Sequence, residues 1–315
     1  MFRLLKRQVA SHALVAICTS SAGLALARIR REPGLPPVLD LGEFHATPAG
    51  EQQALLSKLS RQHHLDSFVC HSVMGLGQYN LLLVEAPDVQ PAELRAAIRW
   101  RIKDLIDFHV DDAVIDVFEV PNQKTAGRNS MMYAVVARAD IVRQRIERMT
   151  DANINLVVID IPELALRNLA ALLPEDVGGV ATLYLEDHSG LITITRQGVL
   201  YLSRQIDLGY LDVFSNPDTG ELSHDQIDHI IVEIQRSLDY YESHFSQPAV
   251  SSVVVMPAIK PLNGITDYLN SQLDLKVRDL DLNQLVDAPV ALDPATQGGC
   301  LLAIGAALRE EGKAL

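Results

Sequence analysis

Cysteine is scarce in this chain: three in 315 residues, Cys18, Cys70 and Cys300, far apart and with no C-x-x-C pair. That argues against a disulfide framework or a cysteine-held zinc, and leaves three buried thiols in a reducing compartment as the expectation. Positive charge is also short. Lys and Arg number 27 against 40 Asp and Glu, a net charge of −13, which argues against a nucleic-acid binder because phosphate contacts need a basic surface. No stretch reaches the roughly 18 continuous apolar residues that a bilayer-spanning helix requires. No G-x-S-x-G elbow surrounds Ser20 and Ser21, so a serine hydrolase has no nucleophile turn here. Charged residues make up only 21% and apolar ones 48%. A sizeable core is therefore feasible, in two domains or in one domain with an insertion.

The chain is organised around residues 180–245. VATLYLE (180–186), GLITITR (190–196) and VLYLSRQI (199–206) alternate apolar and polar residues, with Gly190 and Gly198 at the two connections. This is the pattern of an antiparallel meander. A long helix is expected next. Ser223 and Gln226 have capping-box spacing, and Ile227, Ile230, Ile231, Ile234, Leu238, Tyr241 and Phe245 form one apolar stripe before Pro248. Residues 14–17, 23–29 and 38–44 with a helix at 51–62 repeat that order of three strands and a helix. Between the copies lie expected strands at 68–73, 81–85, 113–120, 131–137 and 154–159 and helices at 91–106, 140–149 and 162–173. Pro91 starts the first of these helices, Asp140 is the N-cap of the second, and a polar turn occupies 123–130. After the long helix, strands are expected at 252–256 and 275–280, a short helix at 264–272, and a closing helix at 300–311 led in by Gly298-Gly299. The expected class is α/β: two related domains joined at 174–179 and facing a cleft, or two unrelated α/β domains.

The front of the chain carries two readings. Residues 1–12 are basic (Arg3, Lys6, Arg7), and 13–27 are mostly apolar, ending Ala25-Leu26-Ala27, as in a secretory signal. Removal of residues 1–27 would make the rest a secreted binding domain. Thr19-Ser20-Ser21 interrupts the run, however, and suits two strands joined by a polar turn.

Four segments carry a family likeness. Glu233-Ile234-Gln235-Arg236-Ser237-Leu238-Asp239-Tyr240-Tyr241, the stretch 91–100, Asp160-Ile161-Pro162 with its Leu-rich sequel, and Ala303–Arg309 together resemble the actin-like proteins of type IV pilus assembly, the PilM type. The likeness is nearest to the MshI branch that serves mannose-sensitive haemagglutinin (MSHA) pili. It implies a two-domain actin-like (ribonuclease H-like) ATPase fold. Residues 1–176 would form the first domain with an inserted α/β subdomain at about 64–138, residues 177–297 the second, and 298–315 a closing helix returning to the first. It also implies a partner, a bitopic inner-membrane protein of the PilN/MshJ kind held by its cytoplasmic tail, and a location at the cytoplasmic face of the inner membrane.

The departures from the family decide the chemistry. Its first phosphate turn is written D-I-G-S-S-S, whereas here the run is Ile17-Cys18-Thr19-Ser20-Ser21-Ala22, without the carboxylate and with Thr19 at the glycine. Magnesium wants oxygen ligands. The second turn, Glu186-Asp187-His188-Ser189-Gly190, has lost its regular order, and the adenosine segment 254–258 has no glycine. The resemblance thus implies a vestigial nucleotide cleft at Thr19, Ser20, Ser21, Asp187, Ser189, Gly190, Glu233 and Arg236. No catalytic residue, no metal ligand and no cofactor are expected, with ATP and magnesium left open. An active Mg-ATPase would have to use Asp187 or Glu186.

Trp100 is the one tryptophan. On the expected 91–106 helix it lies about 200° from Ile98 and Ile102, away from a stripe of Leu94, Ile98, Ile102 and Leu105. Either a second core layer covers it, or Arg95, Arg99, Trp100 and Lys103 hold a partner segment. His224, Asp225, Asp228 and His229, and His63-His64 near His71, suit solvated surface better than a metal.

Overall fold

The computed structural model describes residues 13–310 except 33, 91–92, 121–129 and 217–219. The basic tip at 1–12, Pro91 and most of the polar turn at 123–130 lie outside the described residues. In chain order the first half runs β1 (Ala13–Thr19), β2 (Gly23–Arg30), β3 (Val38–Ala46), α1 (Gln52–His63), β4 (Val69–Val73), β5 (Tyr79–Glu85), α2 (Leu94–Ile102), β6 (Ala113–Glu119), β7 (Met131–Arg138), α3 (Ala139–Asp151), β8 (Leu156–Asp160) and α4 (Pro162–Ala170). The second half runs β9 (Val180–Leu185), β10 (Gly190–Arg196), β11 (Val199–Ile206), β12 (Phe214–Asn216), β13 (Glu221–Leu222), α5 (His224–Phe245), β14 (Ser252–Val255), α6 (Ile265–Gln272), β15 (Lys276–Asp279) and α7 (Pro294–Ala307).

Two five-stranded sheets repeat one plan, ordered β3-β2-β1-β4-β8 and β11-β10-β9-β14-β15. Each is an antiparallel meander extended by two parallel strands. The shared plan favours related halves over unrelated ones. Between the sheets lie α4 and α7. One core joins Ala16 and Ala25 of the first sheet to Val180 and Val254 of the second through Leu166, Leu169, Leu301 and Ile304. The outer face of the first sheet is covered by α1 and α3 (Leu56, Leu59, Met149). That of the second sheet is covered by the stripe of α5, where Ile227, Ile230, Ile231, Ile234, Tyr241 and Phe245 are buried and Leu238 half-buried. A separate sheet, β5-β7-β6, packs α2 through Ile98 and Ile102. It is tied to the second sheet by Tyr133 Oη, which donates to the Tyr201 carbonyl at 3.1 Å.

Several expectations are corrected. The apolar run 13–27 is β1 and most of β2, with Ser20-Ser21-Ala22 between them, so cleavage after Ala27 would remove a central strand. β4 pairs with β1 inside the first sheet, which puts the start of the three-stranded insert after Val73 and not at 64. Ser223 is the N-cap of α5 but its side chain makes no cap bond; its backbone N–H is instead held by the Val213 carbonyl. Arg138 takes the N-cap of α3, and Asp140 accepts from its neighbour, the Ile141 N–H. Helix α2 ends at Ile102, and Leu105 beyond it is 57% exposed instead of completing the stripe.

Gly298 and Gly299 stand inside α7, which begins at Pro294 with the Asp293 carboxylate accepting from the Ala295 and Thr296 N–H groups. Their role is close approach, not helix breaking. A Cβ on Gly298 would lie 2.1 Å from the Ala258 carbonyl carbon, and one on Gly299 2.2 Å from the Phe44 ring. The helix can thread between the two sheets only where side chains are missing.

Candidate functional site

Parallel strands present their carboxyl ends to a crevice, the usual ligand position in open α/β sheets. Here the β1–β2 turn (Thr19 to Gly23) faces the end of β9 (Tyr184 to Asp187), with Gly298-Gly299 and Ala258-Ile259 closing one side. The enclosed cleft measures about 380 Å³. Thr19, Ser20, Ser21 and Asp187 are all brought to it.

The two turns touch directly. Ser21 Oγ donates to Asp187 Oδ2 at 2.7 Å, and Tyr210 Oη donates to Asp187 Oδ1 at 2.5 Å. Asp187 therefore already has a partner on each oxygen. Beside it, Tyr184 Oη donates to Glu186 Oε1 at 3.0 Å. Burial, and then the charge of Asp187, raise the Glu186 pKa, against that hydrogen bond. Thr19 is the last residue of β1, paired with Leu24 in extended backbone. Among the described residues no group of three or more His, Cys, Asp or Glu is placed to hold a metal. Asp228 accepts from Tyr268 Oη, and His224 stacks on the same ring.

The other expected cleft residues lie elsewhere. Ser189 closes the β9–β10 turn through its carbonyl, and Gly190 starts β10; neither lines the cleft. Glu233 and Arg236 fall on the outward face of α5, because its inward stripe is spent on the second sheet. There Glu233 bridges Arg204 (2.9 Å) and Arg236 (2.6 Å) beside a groove along β11.

On α2, Trp100 is 73% exposed, with the Lys103 ammonium 5.4 Å from its ring centroid, so no second core layer covers it. Arg99 pairs with Asp111, and Arg95 with Asp116 at 3.2 Å. Of the four expected partner residues Arg95 lines a groove of about 460 Å³ between β6 and β8. Both strands are sheet edges. The walls are Val117, Phe118, Val157 and Leu164, and the floor carries Asp160 and Arg309. Those two form a buried ion pair at 3.0 Å, side chains 1% and 9% exposed, while Arg309 Nε has no partner. In the sequence Asp160 and Arg309 belong to two separate motifs. Nothing in either motif signals that they meet.

No family model matches the sequence, and no curated protein matches it. Solved structures do. One from the PilM-PilN type IV pilus biogenesis complex is 18% identical over 94% of this chain and 97% of its own, with a TM-score of 0.73. A Bacteroides thetaiotaomicron protein with actin-like ATPase fold and unknown function is 7% identical over 95% and 98%, at 0.52. The cytoplasmic domain of EpsL, an inner membrane component of the type II secretion system of Vibrio cholerae, is 10% identical over 95% and 96%, at 0.51. With its duplicated sheets closing on a cleft, the chain has the actin-like ATPase fold.

Proposed function

We propose that this chain is an actin-like adaptor of a type IV pilus assembly machine, of the MSHA type. It holds the cytoplasmic tail of a bitopic, PilN/MshJ-like inner-membrane protein and works at the cytoplasmic face of that membrane without hydrolysing ATP. The fold similarity to a protein of a PilM-PilN complex and to an inner-membrane secretion component supports this reading. Among the described residues no helix is long and apolar enough to cross a membrane.

The observation that carries it is the groove between β6 and β8. Two edge strands face the groove, apolar walls suit alternate side chains of an extended segment, and Arg309 Nε is a spare donor on the floor. Val157→Asp is expected to weaken binding of a PilN/MshJ-like tail peptide about tenfold or more, measured by fluorescence anisotropy on folded variants, with Trp100→Ala near wild type. The reverse pattern would move the docking site to the outer face of α2 and sink the groove.

An active ATPase is favoured by one feature, the acidic pair Glu186 and Asp187 on the cleft wall. The Ser21–Asp187 bond stands against it, since it joins the two turns across the place where phosphates and metal would sit. No magnesium-dependent turnover is expected. Turnover that Asp187→Ala abolishes would restore the ATPase reading.

A further inference from the structure

Behind the β1–β2 turn, on the α1 and α3 side of the first sheet, lies a small annexe of about 120 Å³. At roughly 30 Å³ per water it holds about four waters, room for one tetrahedral oxyanion. Its lining is unusual for a chain of net charge −13: four glutamines, Arg145, Arg148, Thr19 and no carboxylate.

Arg145 is 8% exposed, and its guanidinium donates only to neutral acceptors: Ser72 Oγ at 2.8 Å, the Val73 carbonyl at 2.7 Å and Gln78 Oε1 at 2.7 Å. It makes no ion pair among the described residues. Buried charges are ordinarily paired, because desolvation costs several kcal/mol. Arg148 follows one helical turn later on the same face and also has no ion pair among the described residues. Burial foremost, with the charge of Arg148 adding to it, pushes the Arg145 pKa down. Cys18, the titratable neighbour that would oppose this, stays a neutral thiol, because burial drives its own pKa far up. Two cations thus repel each other across a cavity that contains no counter-charge.

We propose that this annexe is a metal-independent anion site, taking a phosphate-sized oxyanion between Arg145 and Arg148 with the Thr19 hydroxyl as a further donor. It lies at the carboxyl ends of β1 and β4, where an open α/β sheet places ligands. The anion replaces the missing counter-charge, a task no metal could perform beside two guanidiniums. Thr19, Gln52, Gln78 and Arg148 line both the annexe and the cleft. The same chemistry therefore serves a free phosphate or the phosphate end of a longer molecule entering from the cleft.

The test is isothermal titration of the full chain with inorganic phosphate against chloride at equal ionic strength, and separately with ATP in EDTA. Arg148 is exposed, so Arg148→Gln leaves the fold intact, whereas Arg145 anchors the end of β4. Wild type is expected to bind phosphate saturably and Arg148→Gln to bind about tenfold more weakly, the loss of one charge-assisted contact. Arg148→Glu, which supplies an internal counter-ion to Arg145, should abolish binding and raise the melting temperature without phosphate. ATP in EDTA binding more tightly than phosphate, with the same dependence on Arg148, assigns the anion to a nucleotide; weaker binding assigns it to a free anion. Phosphate no better than chloride, or phosphate affinity indifferent to Arg148, overturns the site.

Discussion

Arg309→Met is expected to cost the fold about 3–5 kcal/mol, the range for removing one partner of a buried ion pair. Asp160 would be left 2% exposed with its charge answered only by the N–H of Ile161 at 3.0 Å. Neighbouring His71 is 4% exposed, and burial foremost, with the Arg309 charge adding to it, lowers its pKa against the pull of Asp160. Urea unfolding at pH 7 measures the loss. The double variant Asp160→Asn, Arg309→Met should recover most of it, since two neutral groups of similar shape leave no orphaned charge. A loss below about 1 kcal/mol, typical of exposed pairs, would mean that water reaches Asp160 and that the groove floor is open. The pair also joins the residue that ends β8 to the residue just past α7, so tail docking and the seating of α7 should weaken together in the single variant.

Glu163→Gln should stabilise the protein at pH 8 and leave it unchanged at pH 4. Glu163, in the first turn of α4, is 3% exposed and accepts from Tyr79 Oη at 2.5 Å and Ser203 Oγ at 3.4 Å. Burial, helped by the charge of Asp160 and opposed by the bonds from Tyr79 and Ser203, raises its pKa from 4.5 to about 7. A carboxyl whose pKa is higher folded than unfolded contributes stability that is complete below 4.5 and disappears as pH rises through about 7. Glutamine keeps the Tyr79 hydrogen bond and does not titrate. The stability difference between variant and wild type should therefore grow between pH 4.5 and 7, level off above, and reach about 3 kcal/mol. Parallel pH curves for the two proteins would refute it. Glu163 joins β5 of the insert and β11 of the second sheet to α4, so this titration acts where the insert, the second sheet and α4 meet.

Much of the fold could be read from local pattern. The meander at 180–206 and the stripe of α5 were legible because periods of two and of about 3.6 state which residues must face a core. The annexe arginines were not. On α3 they look like two more solvated charges, and only the packing of α1, β1 and β4 around them shows that one is buried without a counter-ion. Trp100 was legible as facing away from its helix stripe, but not as uncovered. Gly298-Gly299 looked like the lead-in to a helix because glycine serves both helix boundaries and close approaches, and the deciding atoms, of Phe44 and Ala258, are remote in sequence. Leu105 failed as a stripe residue because α2 stops at Ile102.

By itself the amino-acid sequence determined the order of the main strands and helices, their duplication, and the absence of a carboxylate from the β1–β2 turn, since each is written within a few tens of residues. Only the tertiary structure decided that Ser21 meets Asp187 across 166 residues and that Arg309 neutralises Asp160 across 149. It also decided that β6 and β8 leave a groove between their edges. Such contacts depend on how sheets stack about α4 and α7, and that stacking is a property of summed apolar surfaces which no short run of residues expresses.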